Sequence, residues 1–574
     1  MKLHDNDPLI SGDEDIPEEN TPENLPPESE SKPDGEPEKE PGNEPETAEP
    51  EEAPAPSNAR RVLRYASKTL VALITAVAMI GVGAGIGFLF FQEKTVRTAD
   101  LPPDPVLAES RSAQLVCTGG FSRAITQGIS VEDVDEALTG SAGAAALHMP
   151  AADAEADKSA GINAIWTDAG KIQFNRVLPA SAFSQSGLNM PQLRGVLTVS
   201  GEDAAAGVLA GASIHQAGAG DLRGLAVNPC VWPTRSAWLV GSSAALGASN
   251  RLVMLNPTAN VVQVEISAYS SLGPQKLGTR STVNLMPGKL QEVKLDGALG
   301  SDDLIAINVS AKNGIFGVTL ESAVLDGYTP AGVSFIIPAQ FARKLVIPGL
   351  VIPAATTELT TVDLTDDTPE TVESQLADYL TQATLRLVNP GDDIRTVDIS
   401  VIAEDGTRAL SGGGKIEVAP GSVIDMNLDG LAPGSYAVQV ESDGEITAGV
   451  AVRRTMPDHG TDVAWLGAQP RITRGMAAFG AATGKLVVAG TGKVTWKAYD
   501  AAANEVASGE VTLASSSSGV ELPAAAQYVA VAADHPVWAG VSLMSKLTAG
   551  ESASWVPVTA SPAEDLQVPV VVRN

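Results

Sequence analysis

RLVMLNP, at Arg251–Pro257, returns later in the chain as TLRLVNP, at Thr384–Pro390, so that the motif ends in a proline at both positions 257 and 390. The same offset separates two further pairs of motifs: Pro287-Gly288 and Pro420-Gly421, then Leu295-Asp296-Gly297 and Leu428-Asp429-Gly430. Three matches at one offset indicate an internal structural repeat.

Short runs near these motifs alternate apolar and polar residues, as in Val262–Ile266 and Thr396–Val401. Gly, Asn, Asp and Pro bound the runs, and this period-two pattern predicts strands of half-buried antiparallel sheets. A second segment recurs four times, with Gly-Val pairs at 207, 317, 449 and 540. Each copy has alternating residues on both sides of a polar stretch, which predicts a β-hairpin.

These signals predict a mainly β protein built from four repeat units of six to eight strands each. Units of this size are typical of immunoglobulin-like or fibronectin-like β-sandwiches. The alternative is a propeller-like arrangement in which β repeats close radially. Unequal spacing of the Gly-Val pairs favours tandem sandwiches. The predicted unit boundaries are 113–232, 233–345, 346–458 and 459–574.

The third unit contains a stretch that departs from the β pattern, DLTDDTPETVESQLADYLTQ at Asp363–Gln382. Pro369 suits a first helical position, and Val372, Leu376 and Leu380 share one helical face, so we expect a short helical insertion. The carboxylates of this stretch raise the question of a calcium site. EF-hand spacing is lacking, and acidic residues also suit the first turn of a helix, so no metal site is predicted.

The apolar stretch TLVALITAVAMIGVGAGIGFLFF, at 69–91, carries no charge. As a helix it would span about 34 Å, enough to cross a bilayer, and it predicts a single uncleaved transmembrane anchor rather than a signal peptide. The basic residues of 60–68 precede it, so the N-terminus is predicted to be cytoplasmic, with 60–68 against membrane lipid and 92–574 extracytoplasmic. Two G-x-x-x-G spacings, Gly81/Gly85 and Gly83/Gly87, allow self-association of the helix.

The formal net charge of the full chain is −31, and residues 1–59 form its acidic end. Residues 1–56 contain 19 Asp and Glu, 3 Lys and 12 Pro, and such a composition cannot bury enough apolar surface to fold. We therefore expect a disordered cytoplasmic tail at 1–59, and a Pro-rich stalk at 92–112 after the membrane span. The low isoelectric point of about 4.5 argues against nucleic-acid binding.

Only two cysteines are present, Cys117 and Cys230, at the two ends of the first unit. An even count in an extracytoplasmic region predicts one disulfide, with two buried thiols as the alternative. The five histidines are scattered, without metal-ligand spacing: His4, His148, His215, His459 and His535. Neither a phosphate-binding loop nor a nucleophile elbow is present, so no catalytic, cofactor-binding or metal residues are predicted.

The order of several motifs resembles a family of uncharacterised actinobacterial proteins that are membrane-anchored or secreted. The motifs are Leu115-Val-Cys117, Cys230-Val-Trp-Pro233, Trp238-Leu-Val-Gly241, the L-x-L-x-N-P repeats, Trp555-Val-Pro-Val558 and Val568-Pro-Val570. The resemblance covers most of 113–574 and implies a location in the cell envelope. The family offers no catalytic residues to transfer to this chain.

Repeat architecture without a catalytic constellation favours a non-enzymatic protein of the cell envelope, with a structural or binding role. Cell-wall glycan and other envelope proteins are the expected partners. One alternative is a hydrolase or transferase of wall polymers, with carboxylates gathered between units. Another is a sensor coupled through the membrane helix to the acidic tail.

Overall fold

In the computed structural model, all residues described below belong to one compact unit, Leu101–Asn574. They are 112–121, 140–149, 161–168, 171–179, 183–185, 193–201, 207–353, 382–410, 415–456, 460–547 and 550–561. The predicted tail, basic segment and membrane span, nearly all of the stalk, and the helical insertion except Gln382 lie outside these residues. Within the described ranges, no helix is long and apolar enough to cross a membrane.

The described residues are mainly β, as the alternating pattern predicts, and they form 32 strands and a single 3₁₀ turn. Their sheets are consistent with β-sandwiches. We group the strands into four modules, which are β1–β8, β9–β18, β19–β26 and β27–β32.

Module 1 has two four-stranded antiparallel sheets, ordered β1-β6-β3-β4 and β5-β2-β7-β8. Between them lies a core that includes Leu115, Trp166 and Leu197 from the first sheet and Leu209 from the second. The strands are β1 (Ser112–Thr118), β2 (Gly140–His148), β3 (Gly161–Asp168), β4 (Lys171–Pro179), β5 (Phe183–Gln185), β6 (Arg194–Ser200), β7 (Gly207–Ala217) and β8 (Gly224–Pro229).

Module 2 also has two sheets, ordered β14-β10-β16-β17 and β12-β11-β15-β9-β18, with β13 paired to β11. Its core includes Leu252, Ile307 and Phe316. The 3₁₀ turn covers Gly278–Ser281. The strands are β9 (Ser236–Val240), β10 (Ala248–Leu255), β11 (Val262–Ser270), β12 (Gly273–Gln275), β13 (Thr282–Leu285), β14 (Leu290–Lys294), β15 (Ile305–Ala311), β16 (Gly317–Asp326), β17 (Thr329–Ile336) and β18 (Pro338–Ala339).

Modules 3 and 4 each have a single sheet, and in each of them one long strand pairs with several others. The order is β22-β21-β25-β20-β24 in module 3, where β19 and β26 also pair with β25 and β23 pairs with β21. It is β29-β28-β30-β27-β32 in module 4, where β31 pairs with β30. The module 3 strands are β19 (Phe341–Ile352), β20 (Gln382–Val388), β21 (Arg395–Ala403), β22 (Gly406–Ala409), β23 (Ile416–Val418), β24 (Val423–Asn427), β25 (Gly434–Thr455) and β26 (Thr461–Gly467). The module 4 strands are β27 (Ile472–Ala478), β28 (Thr483–Tyr499), β29 (Glu505–Glu521), β30 (Tyr528–Leu547), β31 (Gly550–Pro557) and β32 (Thr559–Ala560).

The hairpin prediction for the four Gly-Val segments is wrong. In modules 3 and 4 the segment is one continuous strand, β25 or β30. In modules 1 and 2 its two halves, β6 with β7 and β15 with β16, belong to different sheets. On β25, pairing with β21 ends at Ser442 and pairing with β20 begins at Thr447. The polar stretch therefore marks the point where the strand stops pairing with one neighbouring strand and starts pairing with another. Its composition resembles that of a turn.

The repeat of the L-x-N-P motif has a structural basis in two buried asparagines, Asn256 and Asn389. The Nδ2 of Asn256 donates to the carbonyl oxygens of Asn260 and Leu285, four and 29 residues downstream. The Nδ2 of Asn389 donates to Asp393 and Val418, again four and 29 residues downstream. Each copy of the motif thus fastens its own turn to a later strand.

Four strands, one from each module, lie side by side around a common axis. These inner strands are β8, β17, β26 and β31; β8 contacts β17, β17 contacts β26, β26 contacts β31, and β31 contacts β8. The modules also meet away from the axis: β2 and β7 of module 1 share a hydrophobic core with module 4. The four modules therefore close into a ring. This radial packing of the modules is closer to the propeller-like alternative than to a linear row of tandem sandwiches.

Candidate functional site

The axis of the ring holds one carboxylate, that of Asp462 on β26, which is fully buried. Its Oδ1 accepts hydrogen bonds from the backbone N–H of Val333 at 3.3 Å and of Val463 at 3.0 Å. Its Oδ2 accepts from Leu225 at 3.0 Å and Ala553 at 3.2 Å. The four donors come from the four inner strands, so one side chain joins all four modules.

Two glycines make room for this carboxylate. Gly224 and Gly332 immediately precede the donors Leu225 and Val333, and both have positive φ angles, +145° and +123°. A Cβ atom on Gly332 would lie 3.0 Å from the backbone nitrogen of Val463. Larger residues at these positions would therefore compete with Asp462 and its donors for the same space.

Burial raises the pKa of Asp462 to about 6, and the four backbone N–H groups partly oppose that rise. Its oxygens are occupied by backbone donors and its side chain is closed to solvent, which suits a structural acceptor better than a general base. No sequence motif marks Asp462. The only signal is one charged residue in a strand that is otherwise uncharged, Thr461–Gly467.

A groove of about 450 Å³ lies between module 1 and module 2. Its floor is the outer face of the first sheet of module 1, whose opposite face packs in the core. Its other wall is the turn that follows β10. We call it the intermodule groove; its lining carries no ionisable side chain and consists of Gln114, Ile165, Thr167, Ile172, Gly195, Val196, Thr198, Leu255, Pro257, Thr258, Ala259 and Gly288.

A second cavity, of about 370 Å³, lies between modules 3 and 4. It contains one carboxylate, Glu521, which pairs with Lys485 at 2.9 Å across β28 and β29. The rest of the lining is apolar or uncharged: Val351, Ile352, Pro353, Pro433, Gly434, Thr483, Gly484, Ser542 and Met544. Neither this cavity nor the groove brings together the two carboxylates on which most glycoside hydrolases rely.

The candidate metal ligands named from the sequence are not brought together within the described residues, where no group of three or more His, Cys, Asp or Glu could hold a metal ion. His215 is buried in module 1, where its Nε2 lies 2.8 Å from the Leu222 carbonyl oxygen and burial lowers its pKa. His148 is buried on β2, whereas His535 is exposed beside Asp534. His4, His459 and the carboxylates of the predicted insertion lie outside the described residues.

The two cysteines form a disulfide that joins the end of β1 to the residue after β8, with their Cα atoms 4.2 Å apart. Both side chains are buried. Beside the disulfide, Val116 and Val231 exchange backbone hydrogen bonds of 2.8 and 2.7 Å. The bond therefore fastens the first strand of module 1 to the chain that leaves the module.

A family of unknown function, DUF5719, has a model that matches residues 189–525. The chain belongs to this family. The DUF5719 match begins within module 1 and ends in module 4, so it includes the inner strands β8, β17 and β26 but stops before β31. The family description assigns no activity to any residue of the match.

Two solved structures show weak similarity to this DUF5719 protein. "Crystal Structure of Thermotoga maritima 1070" is 18% identical, covers 22% of this chain and 95% of its own, and has a TM-score of 0.16. "Biofilm associated protein - BSP domain" is 8% identical, covers 73% of this chain and 90% of its own, and has a TM-score of 0.11. At these TM-scores neither structure carries an argument about fold or function. No curated protein matches the chain.

Proposed function

We propose that this DUF5719 protein is a non-catalytic binding scaffold of the cell envelope, and that it holds its ligand in the intermodule groove. The observation that carries the proposal is the uncharged lining of a 450 Å³ groove in a chain whose net charge is −31. Burying a charged group against such a lining would lose its hydration without a compensating partner. The groove therefore favours an uncharged ligand.

The polar groups in the groove are hydroxyls and an amide, on Thr167, Thr198, Thr258 and Gln114. Thr198 and Gln114 can both donate and accept hydrogen bonds, as sugar hydroxyls do. The hydroxyls of Thr167 and Thr258 already donate to Val196 and Asn256, and they offer acceptors to a ligand. Ile165 and Ile172 supply the apolar surface that ligand sites also need. An uncharged stretch of cell-wall glycan fits this combination, and it is the partner that we propose.

The disulfide between Cys117 and Cys230 supports an extracytoplasmic location, because such bonds persist in oxidising compartments. Together with the apolar stretch at 69–91, it supports a single-pass anchor with residues 92–574 outside the membrane. We propose this topology, with a cytoplasmic N-terminus, as the setting in which the groove meets wall polymer.

The test is binding of the purified full-length chain to isolated wall polymer by co-sedimentation. Thr198→Lys places a long charged side chain in the groove and should weaken binding at least tenfold. Thr512→Lys makes the same change on an exposed position of β29 in module 4 and should bind like the wild type. Failure of the wild type to bind, or equal binding by Thr198→Lys, would overturn the proposal.

A further inference from the structure

The intermodule groove is one part of a larger uncharged surface on module 1. Successive residues of a strand point to opposite faces of its sheet, so the register shows which side chains share the outer face of the sheet β1-β6-β3-β4. Three rows of four residues cross this face: Val116, Val196, Thr167 and Ile172; Gln114, Thr198, Ile165 and Asn175; and Ser112, Ser200, Asn163 and Val177. None of these twelve side chains is ionisable, and we call them the uncharged platform.

The charged residues of the same strands lie off the platform. On β4, Lys171 and Arg176 belong to the opposite face, because their partners in register, Asp168 and Ala164, alternate with the platform residues of β3. On β6, Arg194 shares the outer face but lies one row beyond the platform. The platform is therefore a continuous uncharged area in a chain whose net charge is −31.

A solvent-exposed sheet face in module 4 has a different composition. There, β28 and β29 carry two cross-strand ion pairs, Lys493 with Glu510 at 2.6 Å and Lys497 with Glu505 at 2.9 Å. All four side chains are about half exposed. Charges of this kind keep an exposed surface soluble, and the platform lacks them.

The platform becomes more exposed from β1 to β4. Val116 on β1 is buried, whereas Ile172 and Val177 on β4 are 63% and 73% exposed. Within the described residues, β4 is the edge of the sheet. Neighbouring strands lie about 4.8 Å apart, so the four strands cross about 14 Å. The platform thus extends from the wall that module 2 forms to an open edge.

We propose that the uncharged platform binds the interior of an extended, uncharged glycan, and not only a short fragment seated in the groove. This inference rests on the proposed function, since the groove supplies most of the first two rows. The third row adds the hydroxyls of Ser112 and Ser200, the amide of Asn163 and the apolar side chain of Val177. It continues the mixture of hydrogen-bonding and apolar groups that lines the groove.

The size of the platform sets what the ligand must be. A disaccharide can occupy the groove without reaching the third row, whereas a longer chain contacts all three rows. Each further contact adds to the binding free energy without a second cost of association. A polymer of charged sugars would lose hydration against the platform without gaining a charged partner.

The experiment measures binding of uncharged wall glycan to the full-length chain, with the glycan cut to disaccharides or to fragments longer than the platform. Concentrations are expressed in sugar units, so that the larger number of sites on a long fragment is not counted as affinity. Long fragments should bind about tenfold more tightly than disaccharides. Val177→Lys should abolish most of this preference, and Thr198→Lys should weaken binding of both. Ile394→Lys changes an exposed apolar residue of module 3 in the same way and should behave like the wild type.

Equal binding of the two fragment lengths by the wild type overturns the inference, and so does an unchanged preference in Val177→Lys. Either result leaves the groove as the ligand site, provided that Thr198→Lys still weakens binding. A wild type that binds no fragment overturns the proposed function itself. Dimerisation of the wild type that Val177→Lys abolishes also overturns the inference, because a second copy of the chain would then cover the platform. If Val177→Lys fails to fold, the length dependence of the wild type decides.

Discussion

Gly224 faces Asp462 so closely that a Cβ atom on the glycine would lie 2.7 Å from Oδ1 of the carboxylate. The same atom would lie 2.6 Å from Cγ2 of Val333. The glycine on module 1 and the aspartate on module 3 therefore share one space at the axis, and neither position can be changed without affecting the other.

Gly224→Ala should lower the free energy of unfolding by about 3 kcal/mol, because the added methyl group displaces the axial carboxylate and strains a positive φ. Gly406→Ala is the matched control, since Gly406 has a φ of +117° but nothing within 4 Å of its Cβ position. It should cost only about 1 kcal/mol of backbone strain. Urea unfolding of both variants checks the difference, and equal losses would mean that contact with Asp462 has no effect.

Arg386 should be one of the least replaceable residues at the joint between modules 2 and 3. Its guanidinium is buried, binds both oxygens of Asp425, and donates to the carbonyls of Ser242, Ile305 and Asp303. Arg386→Met should cost about 3–5 kcal/mol, because it leaves Asp425 and three carbonyls without their donor.

The control for that change is Lys344→Met, which removes an exposed ion pair with Glu441 at 2.6 Å. Both members of this pair are about half exposed, so its loss should cost less than about 1 kcal/mol. Chemical denaturation measures both variants. Comparable losses would show that burial of Arg386 adds nothing to the stability of the joint.

Asn256→Ala and Asn389→Ala should destabilise the chain to a similar extent, about 2–3 kcal/mol each. Each change removes a buried amide that holds a turn to a strand 29 residues downstream. Asn504→Ala, at an exposed turn between β28 and β29, should cost less because water can replace its bond to Asp500. Thermal and chemical unfolding of the three variants test the equivalence, which fails if one buried asparagine proves neutral.

His215 should make the free energy of unfolding depend on pH. Its pKa is lowered by burial from 6.5, so the unfolded chain takes up a proton below that value more readily than the folded chain does. Stability present above about pH 6.5 is therefore lost as pH falls. His215→Gln should reduce this loss, as measured by denaturation between pH 5 and 8, and an unchanged slope would exclude the histidine as its source.

The membrane topology remains a prediction with a direct test. Protease added to intact cells should degrade the region after the span and leave the acidic tail protected. Detergent permeabilisation is the control, because it should expose the tail as well. Removal of the segment 1–59 from intact cells, with the rest protected, would reverse the orientation.

The repeat could be predicted from sequence because its determinants are local. Asn256 and Asn389 each sit in a short motif, and their partners lie at fixed distances along the chain. The mainly β character likewise follows from alternation within single strands. The hairpin prediction failed because Ser442–Glu445 has the composition of a turn but lies inside β25.

The axial carboxylate could not be predicted, since its donors are spread from Leu225 to Ala553 and no motif connects them. Closure of the ring could not be predicted for the same reason, since it depends on contacts between distant parts of the chain. The intermodule groove could not be predicted either, because its lining combines strands of module 1 with a turn of module 2.

The shared core of modules 1 and 4 has a consequence for biosynthesis. Ala145, Leu147 and Val208, among the earliest residues of the ring to be made, pack against strands that are synthesised last. Until those strands are synthesised, this apolar surface of the nascent chain remains exposed to water and prone to aggregation. Translation or export that stops before module 4 should therefore yield fragments that aggregate rather than shorter functional proteins.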